Sequence, residues 1–279
     1  IAFACLAGIA GLSCTQGPKE TKKQEPEFRY LAEEFADIKI IRYKVPGWDD
    51  LSLQQKTFIY YMGEAAKCGR DIFWDQNFKH NLEVRKCLET ILETYPGDRE
   101  IHDFQEFLVY AKRVFFSNGI HHHYAEEKIL PGCTAVYMRH LLEESDIDAD
   151  IDFLVDIMCD PELYAMRKSS GREGDLLLTS STNFYAGVNR ARAEAFYAAM
   201  EDPGNLRPVE YGLNSRLSEK DGVVFEEPYK ADGLYGPAIQ QSCHWLEKAA
   251  GVAESPEQAS YIKTLIDYYQ TGDLALWDA

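Results

Sequence analysis

The chain has 279 residues, 46% of them hydrophobic, enough for one large or two modest domains. Its formal net charge of -17 repels phosphate backbones and argues against a nucleic-acid partner. With 17 Tyr and 14 Phe it is too aromatic for a disordered chain and suits packed helices or a peptide-binding groove.

The first 13 residues, Ile-Ala-Phe-Ala-Cys-Leu-Ala-Gly-Ile-Ala-Gly-Leu-Ser, are small and apolar. They read as the remnant of a secretory signal, too short to span a bilayer. Leu12-Ser13-Cys14 fits a bacterial lipobox, in which Cys14 becomes the lipidated first residue. The expectation is a lipoprotein of the bacterial cell envelope, held to a membrane through Cys14 and facing the periplasm or the cell surface. Residues 14–27 then form a polar tether with no core-forming residue after Cys14. The folded part is expected over 28–279. Its five cysteines are scattered without a Cys-x-x-Cys pair, so neither a disulfide framework nor a zinc ribbon is indicated.

Ala36 to Tyr43 alternates like a strand and stops at Val45-Pro46-Gly47. From Leu51 the period becomes helical. Asp50 or Ser52 can cap a helix running through Phe58, Met62, Ala65 and Ile72. A second helix covers about 80–94 and ends before Pro96-Gly97. A third places Ile101, Phe104, Phe107, Leu108, Ala111, Val114 and Phe115 on one face and stops at Ser117-Asn118-Gly119. Shorter helices are expected over 134–144 and 151–158. Lys168 to Gly174 is a loop, with short strands expected at 176–178 and 183–185. Asn189 can cap a helix with Ala191, Ala195, Phe196 and Ala199 on one side, closed by Asp202-Pro203-Gly204. Strands at 209–213 and 223–225, joined near the turn Asp221-Gly222, predict an antiparallel pair. Pro237 opens a helix carrying Ile239, Cys243, Leu246 and Ala250, and a last helix covers about 256–270. The fold class is α+β, mostly helical, with a small antiparallel sheet flanked by helices.

The third helix delivers the residues best suited to chemistry: His121-His122-His123-Tyr124 with Glu126 and Glu127, on a loop closed by Pro131. Imidazole and carboxylate are zinc-ligand types. Adjacent loop residues point in different directions, however, so a substrate-facing or merely solvated loop fits better than a metal site. His140 with Glu143 reads as a helical surface pair. Asp146, Asp148, Asp150 and Asp152 lack the Gly and terminal Glu of a calcium loop and read as an acidic turn before a helix. No Gly-x-Ser-x-Gly and no phosphate-binding Gly-rich loop occurs. Asn183, in Asn183-Phe184-Tyr185-Ala186-Gly187, is placed to bond a main chain nearby, in its own loop or in a bound peptide.

Five blocks, in order, resemble the dipeptidyl-peptidase III metallopeptidases of bacteria. They are Trp48 to Lys56 (Trp-Asp-Asp-Leu-Ser-Leu-Gln-Gln-Lys), Phe107 to Pro131, Thr182 to Val188 (Thr-Asn-Phe-Tyr-Ala-Gly-Val), Tyr229 to Pro237 (Tyr-Lys-Ala-Asp-Gly-Leu-Tyr-Gly-Pro), and Tyr269 to Asp273 (Tyr-Gln-Thr-Gly-Asp). The resemblance implies a two-lobed zinc exopeptidase that releases dipeptides from the free N-terminus of short peptides. It places this chain on the lobe with a small, here partial, β-barrel, opposite a helical lobe that holds zinc. The family's His-Glu-x-x-x-His motif does not occur in the 279 residues. The resemblance therefore implies an N-terminal portion, truncated at its C-terminal end, with no catalytic residue and no metal ligand of its own. Zinc and the other lobe would belong to the full-length enzyme. Tyr124 matches the family's aromatic residue facing the substrate's amino end. Gly119 and His123, on the same loop, complete the candidate substrate-binding set. The competing reading is an acidic, aromatic-rich lipoprotein that binds peptides or glycans without catalysis. A weaker third is a relative that has lost its zinc motif.

Overall fold

The computed structural model describes residues 28–172 and 174–278, so the signal remnant, Cys14 and the tether lie outside the described residues. The chain divides into two units, Ile1–Val45 and Pro46–Ala279.

In the first unit, β1 (Leu31–Phe35) and β2 (Ile38–Ile41) form an antiparallel hairpin, with Phe35 opposite Ile38. The turn places Ala36 at φ 48°, a left-handed conformation uncommon outside Gly. Arg42 ties the base of the hairpin by donating from Nη2 to the Arg29 carbonyl at 2.8 Å. The alternating run from Ala36 thus contributes only the second strand, and Leu-Ala-Glu-Glu-Phe supplies an unexpected first one.

The second unit begins with α1 (Leu53–Cys68) and α2 (Arg70–Asn77). Ser52 caps α1 in a capping box. Its hydroxyl accepts from the Gln55 amide at 3.1 Å, and the Gln55 side chain accepts from the Ser52 amide at 2.9 Å. The expected single helix through Ile72 is broken at Gly69, whose amide bonds back to the Ala66 carbonyl. Next come α3 (Asn81–Thr94), α4 (His102–Ser117), α5 (Ala135–Glu143) and α6 (Ile151–Cys159). Thr134 and Asp150 cap α5 and α6 by accepting from the amides of Tyr137 and Phe153. The acidic run before α6 therefore has a structural use: Asp150 is its cap, and Asp152 pairs with Arg139 at 2.6 Å.

These helices close over the main core. Phe107, Leu88, Ile91, Met138, Leu141, Leu142, Leu154 and Ile157 are fully buried there. Each such side chain contributes about 1.5–3 kcal/mol through burial. A second core joins α1 to α8 (Gly236–Gly251) and α9 (Pro256–Thr271) through Ala65, Ile239, Leu246, Ile262 and Ile266. The short α10 (Leu274–Trp277) follows.

Between the helical blocks lies a three-stranded sheet in the order β3 (Tyr185–Ala186), β4 (Ser215–Lys220), β5 (Val223–Pro228). Asp221 and Gly222, at φ 52° and 81°, make the hairpin turn expected of that dipeptide. Four expectations need correcting. Residues 209–213 are not a strand; the partner of β5 is β4, two residues further on. Residues 176–178 form a helical turn, because the Asp175 carboxylate accepts from the amides of Leu177 and Leu178. The sheet is mixed, since β3 runs parallel to β4. No barrel closes among the described residues, because the sheets have only two and three strands.

α7 (Arg190–Ala198) is capped by Asn189, as expected. It buries Ala193 instead of the expected Ala191–Ala195–Ala199 face. The half-buried Phe196 and Tyr197, packed with Val188 and Leu217, decide which side turns inward.

Candidate functional site

The site is built at the end of α4. Asn118 takes a left-handed conformation (φ 53°), and the Gly119 amide bonds the Val114 carbonyl at 3.1 Å. This six-to-one closure ends a helix by satisfying a carbonyl of its last turn. Asn81, fully buried at the start of α3, locks the exit. Its Nδ2 donates to the Trp74 carbonyl at 3.0 Å, and its Oδ1 accepts from the Ile120 amide at 3.1 Å. Gly119 lies directly on this amide group. A β-carbon there would collide with the Asn81 side-chain amide. The structure thus places Gly119 as a buried packing element at the root of the loop.

Beyond Gly119 the loop doubles back. Ile129 donates to the Ile120 carbonyl at 2.7 Å and His122 to the Glu127 carbonyl at 2.7 Å, with His121 bridged to Lys128. A third run joins alongside: Lys128 donates to the Ala165 carbonyl, and Arg167 to the Glu126 carbonyl at 2.8 Å. The Lys128 ammonium reaches the carbonyls of Asp160 and Leu163, both at 2.6 Å. Its burial pulls it down to about 8, against the opposing pull of Asp160. The loop is therefore stitched to the protein along both of its arms.

The three histidines have three different places. His121 is buried; its Nε2 donates to the Tyr164 carbonyl at 2.8 Å while Nδ1 has no hydrogen-bond partner. Burial pushes it down to about 4, so the ring is neutral at physiological pH. His122 turns its Nδ1 inward to accept from the amides of Tyr124 and Ala125, at 3.2 and 3.0 Å. An accepting Nδ1 carries no proton, so the ring hydrogen sits on Nε2. His123 stacks on His122 at 4.5 Å, meets the edge of Phe116 at 5.0 Å, and contacts Tyr124 at 4.4 Å. Tyr124 at the tip is 84% exposed. Phe116, His122, His123 and Tyr124 thus make one continuous aromatic surface. Such a surface can pack an apolar side chain or sit against a cation.

A second polar group gathers at the C-terminal end of α2. Asp75 accepts from Asn183 Nδ2 at 2.8 Å and from the Tyr235 hydroxyl at 2.7 Å. Burial, reinforced by that bond to Asp75, pushes the Tyr235 hydroxyl well above its usual range. Asn183 Oδ1 faces Arg216 Nη1 at 3.4 Å, and Arg216 grips Glu227 with two bonds of 2.9 and 3.1 Å. Ser218 donates to the same Glu227 carboxylate. That bidentate contact holds Glu227 below the usual carboxylate range. Two residues further along α2, Asn77 donates to the Asn118 carbonyl at 3.1 Å. The end of α2 thus ties the histidine loop to the sheet. The Asn183 side chain bonds side chains instead of the main chain expected of it. Asn183 is the network member that the sequence marks; Asp75, Arg216, Glu227, Asn81 and Arg167 carry no local pattern, because their partners are remote along the chain.

Among the described residues no group of three or more His, Cys, Asp or Glu is placed to hold a metal ion. His121 is turned to the Tyr164 carbonyl, the His122 Nδ1 is taken by amides of its own loop, and Glu126 is taken up by Arg167. These donors do not fit a catalytic zinc. No described helix is long and apolar enough to cross a membrane.

With the fold and loop in view, comparison with known proteins gives one kind of match. No family model and no curated protein sequence matches the chain. The solved structures that resemble it include two dipeptidyl-peptidase III enzymes. The one from Corallococcus sp. strain EGB is 16% identical, with a TM-score of 0.51 over 87% of this chain and 34% of that chain. The one from Caldithrix abyssi is also 16% identical, with a TM-score of 0.49 over 83% of this chain and 33% of that one. The chain is an α+β protein with the fold of part of a dipeptidyl-peptidase III, and it spans about a third of the length of these structures.

Proposed function

We propose that this chain is the peptide-gripping part of a zinc-dependent exopeptidase that releases dipeptides from the N-terminus of short peptides. The fold shared with the Corallococcus dipeptidyl-peptidase III carries this reading. The exposed aromatic surface around Tyr124 supports it, because a peptide's ammonium and first side chain suit an aromatic face. Tyr124 and His123 meet the peptide's amino end, while Gly119 fixes the root of the loop. The zinc and its ligands belong to the rest of a longer polypeptide, in keeping with a Corallococcus enzyme of which the matched part is about a third. A lipid on Cys14 holds the enzyme to the bacterial envelope.

The reading is tested by assaying the 279-residue chain and the full-length protein side by side against dipeptidyl-arylamides. The full-length protein is expected to cleave and to stop when a chelator is added; the shorter chain is expected to cleave nothing. Chelator-resistant cleavage would rule the proposal out. Peptide binding without cleavage by the full-length protein would favour a non-catalytic binding lipoprotein.

A further inference from the structure

Arg167 is remote in sequence from the histidine loop, yet its guanidinium joins the loop to α2. Nε and Nη2 donate to the two oxygens of Glu126, at 2.5 and 2.9 Å. Nη2 also donates to the His123 carbonyl at 3.2 Å, and Nη1 to Asn77 Oδ1 at 3.2 Å. Asn77 in turn holds the Asn118 carbonyl at the end of α4. One planar cation therefore fixes the tip of the loop, its descending arm and the helix that launches it. Its side chain is 14% exposed and that of Glu126 is 23% exposed, so the pair is sheltered from screening.

Glu126 needs such a partner. It sits at φ 66°, a left-handed backbone that disfavours a residue with a β-carbon. Tyr124 lies between the two clamped positions, His123 and Glu126, and its own amide is turned inward to His122. The tyrosine ring itself is left in solvent. Its direction is thus set by backbone that Arg167 holds on both sides.

We infer that Arg167 is a positioning residue for the Tyr124 loop, setting the angle at which the Phe116–His123–Tyr124 surface meets a peptide's amino end; this rests on the peptide-binding reading above. The role needs a fork. A guanidinium matches both oxygens of Glu126 while keeping a donor each for His123 and Asn77. A lysine is a single point of charge and cannot hold all three. Arginine also stays protonated throughout the working range of pH, so its half of the clamp does not titrate.

The test uses the full-length protein with Arg167→Lys, Tyr124→Ala and the double variant, assayed on dipeptidyl-arylamides. Arg167→Lys is expected to raise KM about ten-fold with kcat within about two-fold of wild type, because a misdirected loop binds less well without altering the chemical step. In the Tyr124→Ala background the same substitution is expected to change KM by less than about two-fold, since the group it aims is gone. An equal factor in both backgrounds, or a fall in kcat at unchanged KM, would overturn the inference. Glu126→Gln, which keeps the shape and removes the charge, is expected to shift KM the same way by a smaller factor, and covers the case in which Arg167→Lys does not fold. Amide hydrogen exchange gives a readout independent of activity. Arg167→Lys is expected to speed exchange within residues 120–129 and leave α3 and α4 unchanged, whereas unchanged exchange in the loop would overturn the clamp. If the wild-type protein cleaves nothing, the peptidase reading fails and the kinetic role of Arg167 fails with it; exchange still decides separately whether Arg167 holds the loop.

Discussion

His121 gives a stability test with a worked magnitude. Its ring is buried, donates once to the Tyr164 carbonyl and leaves Nδ1 without a partner. Burial lowers its pKa from 6.5 to about 4. On acidification the unfolded chain therefore takes up the proton first, and folding loses free energy. The contribution of the neutral ring is fully present above about pH 6.5, falls progressively between about 6.5 and 4, and is flat below. That lowering corresponds to about 3 kcal/mol in total, of which nearly half is lost by about pH 5.5 and most by about pH 4.5. The perturbation is His121→Phe, which keeps the edge-on contact with Phe78 but cannot titrate. Urea unfolding of both proteins across this range gives their stability difference at each pH. His80, lowered by burial in the same direction, titrates in both proteins and cancels in that difference. The variant is expected to be less stable near neutral pH, for want of the bond to Tyr164, and to gain on wild type by about 2–3 kcal/mol as the pH falls to about 4.5. A difference that stays constant with pH would refute the buried, neutral His121.

Three further outcomes are expected. Asn81→Ala strands the Ile120 amide, though the Trp74 carbonyl keeps its bond from the Phe78 amide, and should cost about 1–3 kcal/mol in urea unfolding, while a cost near zero would mean that water replaces the side chain. Gly63 is exposed in α1, and a β-carbon added there would meet nothing within 4 Å. Gly63→Ala should therefore stabilise by about 0.5–1 kcal/mol, whereas Gly119→Ala should destabilise because Asn81 stands in the way; urea unfolding of both variants checks the pair of signs. Lipid attachment at Cys14 is checked by metabolic labelling with a radiolabelled fatty acid: label in the wild-type protein and none in Cys14→Ala is expected, and equal labelling would refute the anchor.

Much of the helical half is legible in the sequence, because its signals are local. The spacing of Phe104, Phe107, Ala111 and Val114 gives the buried face of α4, and Asn118-Gly119 gives its stop. Ser52 with Gln55, Thr134, Asn189 and Pro237 likewise mark helix starts by chemistry within one turn. The sheet is harder to read. Ser215 and Ser218 are buried on β4, where they break the expected apolar alternation, and they donate to Glu226 and Glu227 across the hairpin. The apolar run Leu176 to Leu178 imitates a strand until the Asp175 carboxylate is seen to wind it into a turn. At the candidate site, the exposed Tyr124 stands out from its sequence setting. What holds the loop, namely Asn81, Lys128 and Arg167, acts through contacts far apart along the chain that no spacing announces.

The central claim is that this fold grips the amino end of a peptide for a metal held elsewhere in the full-length protein. The most direct measurement is mass spectrometry of short peptides incubated with the full-length protein, comparing free with acetylated N-termini and metal-stripped with zinc-restored enzyme. Dipeptides released only from the free-amine peptides, and only with zinc present, are predicted. Release from acetylated peptides, or release that persists after the metal is removed, would contradict the account.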